Sequence, residues 1–252
     1  DGDHPHDGDH PHATRRPRQP DDGQTVLLEQ RVLAKNDLQA MRNRAWLAER
    51  GVAVVNLMSA PGAGKTTLLE RTIREVGAEF GLSVIEGDQE TLLDGERIRA
   101  TGCPVVQINT GAGCHLDAEM MARGLHELDP VADSLVIVEN VGNLVCPALF
   151  DLGDTYRVVI TAVTEGPDKP LKYPHMFRGA HLVVLNKADL LPYLDVEIAE
   201  FASNVRLVNP LADLLTISAT HGEGMTDWYE RLRALRSSPP AAMADEVAGS
   251  PT

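Results

Sequence analysis

Residues 52–80 read VAVVNLMSAPGAGKTTLLERTIREVGAEF and join a β-branched apolar run, a glycine-rich turn and an amphipathic segment. The run at 52–58 is apolar at nearly every position, which is typical of a strand covered on both faces. The segment from Leu68 onward has the apolar spacing of a helix. A strand, a glycine-rich loop and a helix in this order predict an α/β domain with an anion-binding loop at a helix N-terminus.

The turn at residues 59–66, SAPGAGKT, matches the phosphate-loop pattern G-x-x-x-x-G-K-[ST] except that Ser59 replaces the first glycine. Glycines allow the backbone to point its N–H groups at phosphates. Lys65 would contact the β- and γ-phosphates, and the Thr66 hydroxyl would bind Mg²⁺. A glycine-rich turn without this function would not need Lys-Thr at this offset. The predicted nucleotide-binding residues of the loop are Gly62, Ala63, Gly64, Lys65, Thr66 and Thr67.

Further short apolar runs follow along the chain, namely LSVIE, PVVQIN, LVIVEN, RVVITAV and HLVVLN, with amphipathic segments between several of them. This alternation predicts a mostly parallel sheet with helices on both faces. Ligands of such a sheet bind beyond the carboxyl ends of its strands. Side chains that follow different strands can therefore share one site.

The segment 25–50 precedes the first strand and predicts an additional helix that ends at Gly51. The apolar residues near helical spacing in this segment are Val26, Leu33, Met41 and Leu47. Gly, Pro and charged residues dominate 1–24, and Ser, Pro and Ala dominate 237–252, so both segments are predicted to be disordered tails. The folded part is therefore predicted to be a single domain over 25–236.

Composition excludes several classes of protein. A net charge of −14 over 252 residues argues against binding of nucleic acid, which needs a basic face. No apolar run approaches the roughly 20 residues of a membrane span, so we expect no membrane partner. The 3 cysteines are widely spaced and predict no disulfide framework, which fits a reducing cytoplasm.

A second motif indicates which nucleotide base the site binds. The run HLVVLN ends in Asn186-Lys187-Ala188-Asp189, which is the N-K-x-D element of guanine-nucleotide proteins. The Asp189 carboxylate can accept hydrogen bonds from guanine N1–H and the exocyclic amine, and adenine offers no such pair. Ser218 and Ala219 follow another short strand, where a backbone N–H could contact guanine O6. With the phosphate loop, this motif predicts binding of GTP and GDP.

Two carboxylates are candidates for the Mg²⁺ shell and hydrolysis. Asp88 follows the second strand, and Glu139 ends the fourth, with Gly142 where many GTPases have D-x-x-G. The alternative is that either carboxylate is a solvated strand end. The predicted catalytic residues are Lys65, Thr66, Asp88 and Glu139. Unaided GTPases of this kind turn over at around 10⁻⁴ to 10⁻³ s⁻¹, so we expect a slow switch.

Cys114, His115 and Cys146 form a candidate transition-metal site. The first two follow the strand PVVQIN and the third follows LVIVE, so all should emerge at the edge that holds the phosphate loop. Thiolate and imidazole ligands suit Zn²⁺ or Ni²⁺. A buried cysteine is also a common core residue, and we expect that role for Cys103. Three ligands leave coordination incomplete, as suits metal transfer or a site completed by a second subunit.

The N-terminal repeat DGDHPH-DGDHPH interleaves histidines with carboxylates. Imidazoles at this density would hold Ni²⁺ or Zn²⁺ loosely, as a store. A solvated tail or a tag is the alternative. The histidines concerned are His4, His6, His10 and His12.

Taken together, these motifs resemble the HypB family, the GTPases that help to insert nickel during [NiFe]-hydrogenase maturation. The resemblance covers residues 25–236 and rests on NLMSAPGAGKTTLLERT, GDQETLLDGERIRATGCPVVQINTGAGCHLDAEM, VIVENVGNLVCPA and LNKADLLPY. The family has a serine at the position of Ser59. Its metal-binding Cys, His and Cys fall on Cys114, His115 and Cys146. The cysteine-rich N-terminal nickel motif of some relatives is missing, and the histidine-rich tail resembles the storage type.

The resemblance implies a GTP-promoted homodimer with a shared metal site. It also implies two partners, a small accessory nickel metallochaperone and the precursor of the [NiFe]-hydrogenase large subunit. Three alternatives stay open: a related GTPase that serves urease or another metalloenzyme, a nickel storage or sensing protein, and a structural zinc site. The last predicts that the domain unfolds when its metal is removed.

Overall fold

The computed structural model describes residues 22–88, 93–111, 113 and 115–237, although not the side chains of 22–29, 88, 93 and 94. The predicted tail 237–252 lies outside this description beyond Ser237. Of the predicted tail 1–24, residues 1–21 also lie outside it.

Seven strands form one sheet in the order β3-β2-β4-β1-β5-β6-β7, and every pairing between them is parallel. The strands are β1 (Ala53–Ser59), β2 (Ser83–Asp88), β3 (Val105–Asn109), β4 (Leu135–Glu139), β5 (Tyr156–Ala162), β6 (Leu182–Asn186) and β7 (Asp213–Thr216). Each predicted strand is present, which confirms the α/β class. The first strand lies between β4 and β5, so the loops after these strands meet at its carboxyl end.

Helices cover both faces of the sheet. They are α1 (Asp22–Glu49), α2 (Lys65–Phe80), α3 (Leu93–Arg99), α4 (Ala118–Leu128), α5 (Lys169–Lys172), α6 (Pro174–Arg178), α7 (Ile198–Val208) and α8 (Met225–Ser237). Short 3₁₀ turns are formed by Cys146–Ala148, Val163–Glu165 and Ala188–Tyr193. No helix among the described residues is long and apolar enough to cross a membrane.

Alternate residues of the central strand bury their side chains in different layers. Val55 and Leu57 join the cluster that contains α2 and α8, where the indole of Trp228 donates a hydrogen bond of 2.9 Å to the Thr72 hydroxyl. Val54 faces the opposite way, toward α1 and α4. Burial of each large apolar side chain contributes about 1.5–3 kcal/mol. The continuous apolar pattern of the strand follows from this two-sided cover.

The face of the first helix that packs against α4 is partly polar. Met41 is 63% exposed, and the stripe that α1 buries against α4 consists of Asn36, Ala40, Asn43 and Leu47. The two asparagines are hydrogen-bonded to backbone groups rather than packed in an apolar core. Of the apolar residues near helical spacing, Leu47 therefore lies on the buried side of the helix and Met41 on its exposed side.

The environment of His181, which lies just before β6, leads us to expect that the stability of the fold depends on pH. Its Nδ1 accepts a hydrogen bond of 2.9 Å from the Arg157 N–H, and its ring stacks on Tyr156 at 5.0 Å. Burial lowers the pKa of this imidazole below its ordinary value. The unfolded chain therefore binds this proton more readily, and the free energy of unfolding should fall as the pH drops below about 6.5.

Replacement of His181 by asparagine, whose side-chain oxygen can still accept from Arg157, should reduce this acid sensitivity. Urea unfolding at a series of pH values between about 7 and 5 measures the effect. Parallel stability curves for the two proteins would show that His181 is not the titrating group.

Candidate functional site

A cavity of ≈ 490 Å³ lies at the carboxyl end of β1, where the phosphate loop joins α2. The loop and its neighbours from β4 and β6 form its walls. Predicted site residues that line it are Gly62, Ala63, Gly64, Lys65, Thr66, Thr67, Glu139 and Lys187. The cavity therefore combines residues that lie far apart in the sequence, as the order of the strands requires.

Gly64 shows why the loop needs glycine. Its φ of +94° lies in the left-handed region, and a Cβ added there would lie 2.5 Å from Asn186 Nδ2. The amide of Asn186 instead donates a hydrogen bond of 2.9 Å to the carbonyl of Ala63. The first residue of the N-K-x-D element thus holds the phosphate loop, and any side chain at position 64 would displace it.

The next residues of that element connect the loop to the last strand. Lys187 Nζ donates to the carbonyl of Gly62 at 2.7 Å. Asn186 Oδ1 accepts a hydrogen bond of 3.0 Å from the backbone N–H of Ala219. The Ala219 amide, one of the candidates for contact with guanine O6, is therefore engaged by Asn186 in this structure.

Asp189 is not among the residues that line the cavity, and its carboxylate is held by contacts with Ser218 and His221. The Ser218 hydroxyl donates to its Oδ1 at 2.6 Å, and His221 Nδ1 lies 3.5 Å from its Oδ2. The hydrogen bond from Ser218 is the main reason that the pKa of this carboxyl lies below its usual value, with His221 adding to the effect. An ionised Asp189 offers acceptors only, which suits a base edge with two donors.

The residues predicted to bind Mg²⁺ lie together at the start of α2. The Thr66 hydroxyl donates to Glu139 Oε1 at 2.6 Å, and Lys65 Nζ lies 3.8 Å from the same oxygen. A hydroxyl and a carboxylate at the phosphate-binding end of the cavity fit the preference of Mg²⁺ for oxygen ligands. Asp88 ends β2, and its side chain lies outside the described residues, so its role stays a prediction.

The loops after β3 and β4 meet, although these strands lie on opposite sides of β2. The ring of His115 stacks on that of Phe150 with centroids 3.9 Å apart. Phe150 is the second residue after the turn Cys146–Ala148. The structure thus places the two loops in contact, as the predicted metal site requires.

The complete ligand set stays a prediction, because Cys114 lies outside the described residues. Within the described part of the chain, no group of three or more His, Cys, Asp or Glu residues could hold a metal ion. Burial lowers the pKa of His115, which the nearby Asp117 partly offsets, so its imidazole is neutral at physiological pH and can bind a metal. The tail histidines His4, His6, His10 and His12 also lie outside the described residues.

Cys103 behaves as expected for a structural thiol. Its sulfur contacts the carbonyl of Leu82 at 3.2 Å, and burial raises its pKa to about 11. At neutral pH it is therefore a protonated thiol, and metal binding requires the thiolate.

Comparison with known proteins identifies the family. Residues 53–216 match the family model described as CobW/HypB/UreG, nucleotide-binding domain. The chain is 53% identical over 212 residues to a hydrogenase maturation factor HypB of Azotobacter vinelandii, an alignment that covers 83% of this chain and 70% of the relative. The chain belongs to the HypB family. The predicted family is thereby confirmed.

Two solved HypB structures share the fold. HypB from Archaeoglobus fulgidus has a TM-score of 0.75 and 40% identity, over 81% of this chain and 99% of that one. HypB from Helicobacter pylori, solved in complex with nickel, has a TM-score of 0.75 and 34% identity, over 81% of this chain and 95% of that one. The P-loop GTPase fold predicted for this HypB-family chain is therefore confirmed.

Several residues that shape this HypB-family site were not found by sequence reasoning. Arg97 of α3 lines the nucleotide cavity and pairs with Glu70 at 2.8 Å. Asn36 accepts from the Ala118 N–H at 2.9 Å and donates to the carbonyl of Asp151 at 2.8 Å, so α1 bridges the segments that follow His115 and Cys146. A single arginine or asparagine on a helix belongs to no sequence motif that would indicate its role. The signal for these residues lies in their tertiary contacts.

Proposed function

We propose that this HypB-family chain is a GTP-hydrolysing metallochaperone that binds nickel and assists its insertion into the large subunit of a [NiFe]-hydrogenase. The observation that carries this proposal is the contact between the loops of His115 and Cys146, since the second of these loops also lines the phosphate-loop cavity through Val141 and Gly142. A metal held there lies next to a group whose charge changes on hydrolysis. The nickel complex of the Helicobacter pylori relative supports the choice of metal.

Hydrolysis would use the residues that surround the phosphate end of the cavity. Loop N–H groups and Lys65 bind the phosphates, and Thr66 with Glu139 would hold Mg²⁺. That ion supplies positive charge that balances the charge developing on the phosphates. Asp88 is the further candidate in this shell. We expect slow turnover, as for unaided GTPases of this kind.

Nickel binding would use the Cys114 and Cys146 thiolates and the His115 imidazole. The exposed apolar residues Val145 and Leu149, each 51% exposed, flank the turn that begins at Cys146. This apolar rim supports contact with a second copy of the chain, which would complete the coordination of the metal. We propose that GTP promotes this dimer. The small accessory metallochaperone and the hydrogenase precursor are the proposed donor and acceptor of nickel.

Replacement of Cys146 by alanine should remove a ligand and weaken nickel binding by at least about 10- to 100-fold, which is the cost of losing a group that only supports a ligand from the outer shell. The experiment uses the full chain in which His4, His6, His10 and His12 are changed to glutamine, because the tail would otherwise bind nickel. Isothermal titration with Ni²⁺ gives the affinity and the stoichiometry.

Cys103→Ser is the matched control, since it removes a thiol that contacts Leu82 on the opposite side of the sheet from α4. It should leave nickel binding unchanged. Equal affinity in the Cys146→Ala and parent proteins would contradict the proposed site. Chelation tests the structural zinc alternative: loss of circular dichroism on metal removal would favour it over a transfer site. Preference for an apo-urease over an apo-hydrogenase as acceptor would favour the related urease function.

A further inference from the structure

Asn140 contacts both halves of the proposed site. It directly follows β4 and is 1% exposed. Its backbone carbonyl accepts a hydrogen bond from Lys65 Nζ in the phosphate loop. Its side-chain Oδ1 accepts from the backbone N–H of Leu116 at 3.3 Å. This N–H belongs to the peptide that joins His115 to Leu116, so one buried residue links the phosphate-binding lysine to the backbone of a candidate nickel ligand.

The remaining contacts of Asn140 restrict how it can move. Its N–H donates to the carbonyl of Leu57 in β1 at 3.1 Å. Its side-chain amide donates to Asn56 Oδ1 at 3.3 Å, and its Oδ1 also accepts from Val141 at 2.9 Å. Since each of its polar groups is bonded in a buried setting, a change at its carbonyl must be accommodated through these same bonds.

Leu116 is fixed in turn by packing over β2. Its side chain is fully buried, and a Cβ added to Gly87 would lie 2.7 Å from its Cγ. Only a glycine at position 87 permits this close approach. Because the side chain of Leu116 is held, a shift of the Asn140 oxygen acts on the preceding peptide, which carries His115.

We propose that Asn140 is a positioning residue that transmits the state of the γ-phosphate site to the nickel-binding loop. This inference rests on the proposed function, and it names the residue that couples the nucleotide site to the nickel site. Phosphate oxygens carry negative charge and attract an ammonium group more strongly than a neutral carbonyl does. GTP offers Lys65 both the β- and the γ-phosphate and therefore draws it further from the Asn140 carbonyl than GDP, which offers the β-phosphate alone. Asn140 then shifts, and the hydrogen bond between its Oδ1 and the Leu116 N–H changes. As a result, His115 moves relative to Cys146.

The test compares nickel affinity in two nucleotide states. The full chain carrying the glutamine replacements in its tail is titrated with Ni²⁺ in the presence of Mg²⁺ and either GDP or a non-hydrolysable GTP analogue. We expect the two dissociation constants to differ by at least about 5-fold. In Asn140→Ala the ratio should fall to within about 2-fold, since the link between the sites is removed.

Asn36→Ala is the matched control, because it removes two hydrogen bonds to the same loops without contacting Lys65. It should weaken nickel binding with GDP and with the GTP analogue alike, and the ratio of the two dissociation constants should stay as in the parent protein. Retention of the full ratio in Asn140→Ala, or an equal loss of the ratio in Asn36→Ala, would overturn the inference. Equal nickel affinity of the parent protein in the two states would also overturn it.

Hydrogen exchange of the Leu116 amide provides a readout that needs neither nickel nor a variant. In the parent protein, its protection should differ between the GDP and GTP-analogue states. Unchanged protection overturns the role of Asn140. An absence of saturable nickel binding contradicts the proposed function instead, and the exchange measurement then still decides whether the phosphate site and the loop are linked.

Discussion

Replacement of Asp189 by asparagine should reduce the preference for GTP over ATP by about 100-fold, because it removes the carboxylate that accepts from two guanine donors. The hydrogen bond from Ser218 keeps the pKa of Asp189 low, so the wild-type side chain is ionised and presents acceptors alone. Asparagine presents one acceptor and one donor, and its donor faces the exocyclic amine of guanine. Competition between labelled GTP and either nucleotide measures the ratio.

Xanthosine triphosphate supplies a positive readout for the same variant. Xanthine has a carbonyl oxygen where guanine has the exocyclic amine, so the asparagine amide can donate to it. Binding of this nucleotide should improve as binding of GTP weakens. Asp168→Asn is the control, since it makes the same change of carboxylate to amide at a residue that pairs with Lys172 at 2.7 Å and lies outside the N-K-x-D element. Unchanged discrimination in Asp189→Asn would refute the assignment of the guanine site.

Replacement of Lys65 by alanine should slow hydrolysis of GTP by about 10²- to 10³-fold, the usual cost of losing one charged donor to the transition state. The lysine is largely buried beside Glu139, so water cannot readily take its place. Since the parent turnover is expected to be slow, single-turnover measurements with protein in excess over nucleotide are the suitable assay.

The same variant separates a nucleotide-driven chaperone from a store of nickel. Lys65→Ala should still bind nickel, and it should lose the nucleotide-dependent transfer of nickel to the hydrogenase precursor. Lys172→Ala removes a lysine that is paired with Asp168 outside the cavity, and it should behave like the parent protein. Full transfer by the Lys65 variant would favour storage or sensing, because hydrolysis would then have no part in delivery.

Much of the fold followed from local pattern. The β1 strand, the phosphate loop and α2 lie where the run at 52–80 predicted them. A strand buried on both faces appears in the sequence as a continuous apolar run, and the phosphate loop appears as closely spaced glycines. The N-K-x-D element was likewise predicted at the end of a strand. Its contact with the phosphate loop through Asn186 was not, because a hydrogen bond between residues 63 and 186 has no local signature.

The first helix shows the limit of apolar spacing. Apolar spacing included Leu47, which is buried, and Met41, which is exposed, and it gave no sign that Asn36 would be buried and bonded to the segments at Ala118 and Asp151. An asparagine on a helix is normally exposed. Its burial became favourable here because backbone groups of two distant loops satisfy its amide, and those loops are brought there by strand order.

The sequence by itself determined the class of fold, the phosphate loop and the guanine motif, because each depends on residues that are close together in the chain. The strand pattern predicted that the loops of His115 and Cys146 emerge at one edge of the sheet, and tertiary structure alone decided which side chains make the contacts there. It placed His115 against Phe150 and gave Asn140 its contacts with Lys65 and Leu116. The physical reason is that parallel strands bring their following loops to one edge whatever their separation in sequence, so the loops after β3 and β4 meet although β2 lies between these strands.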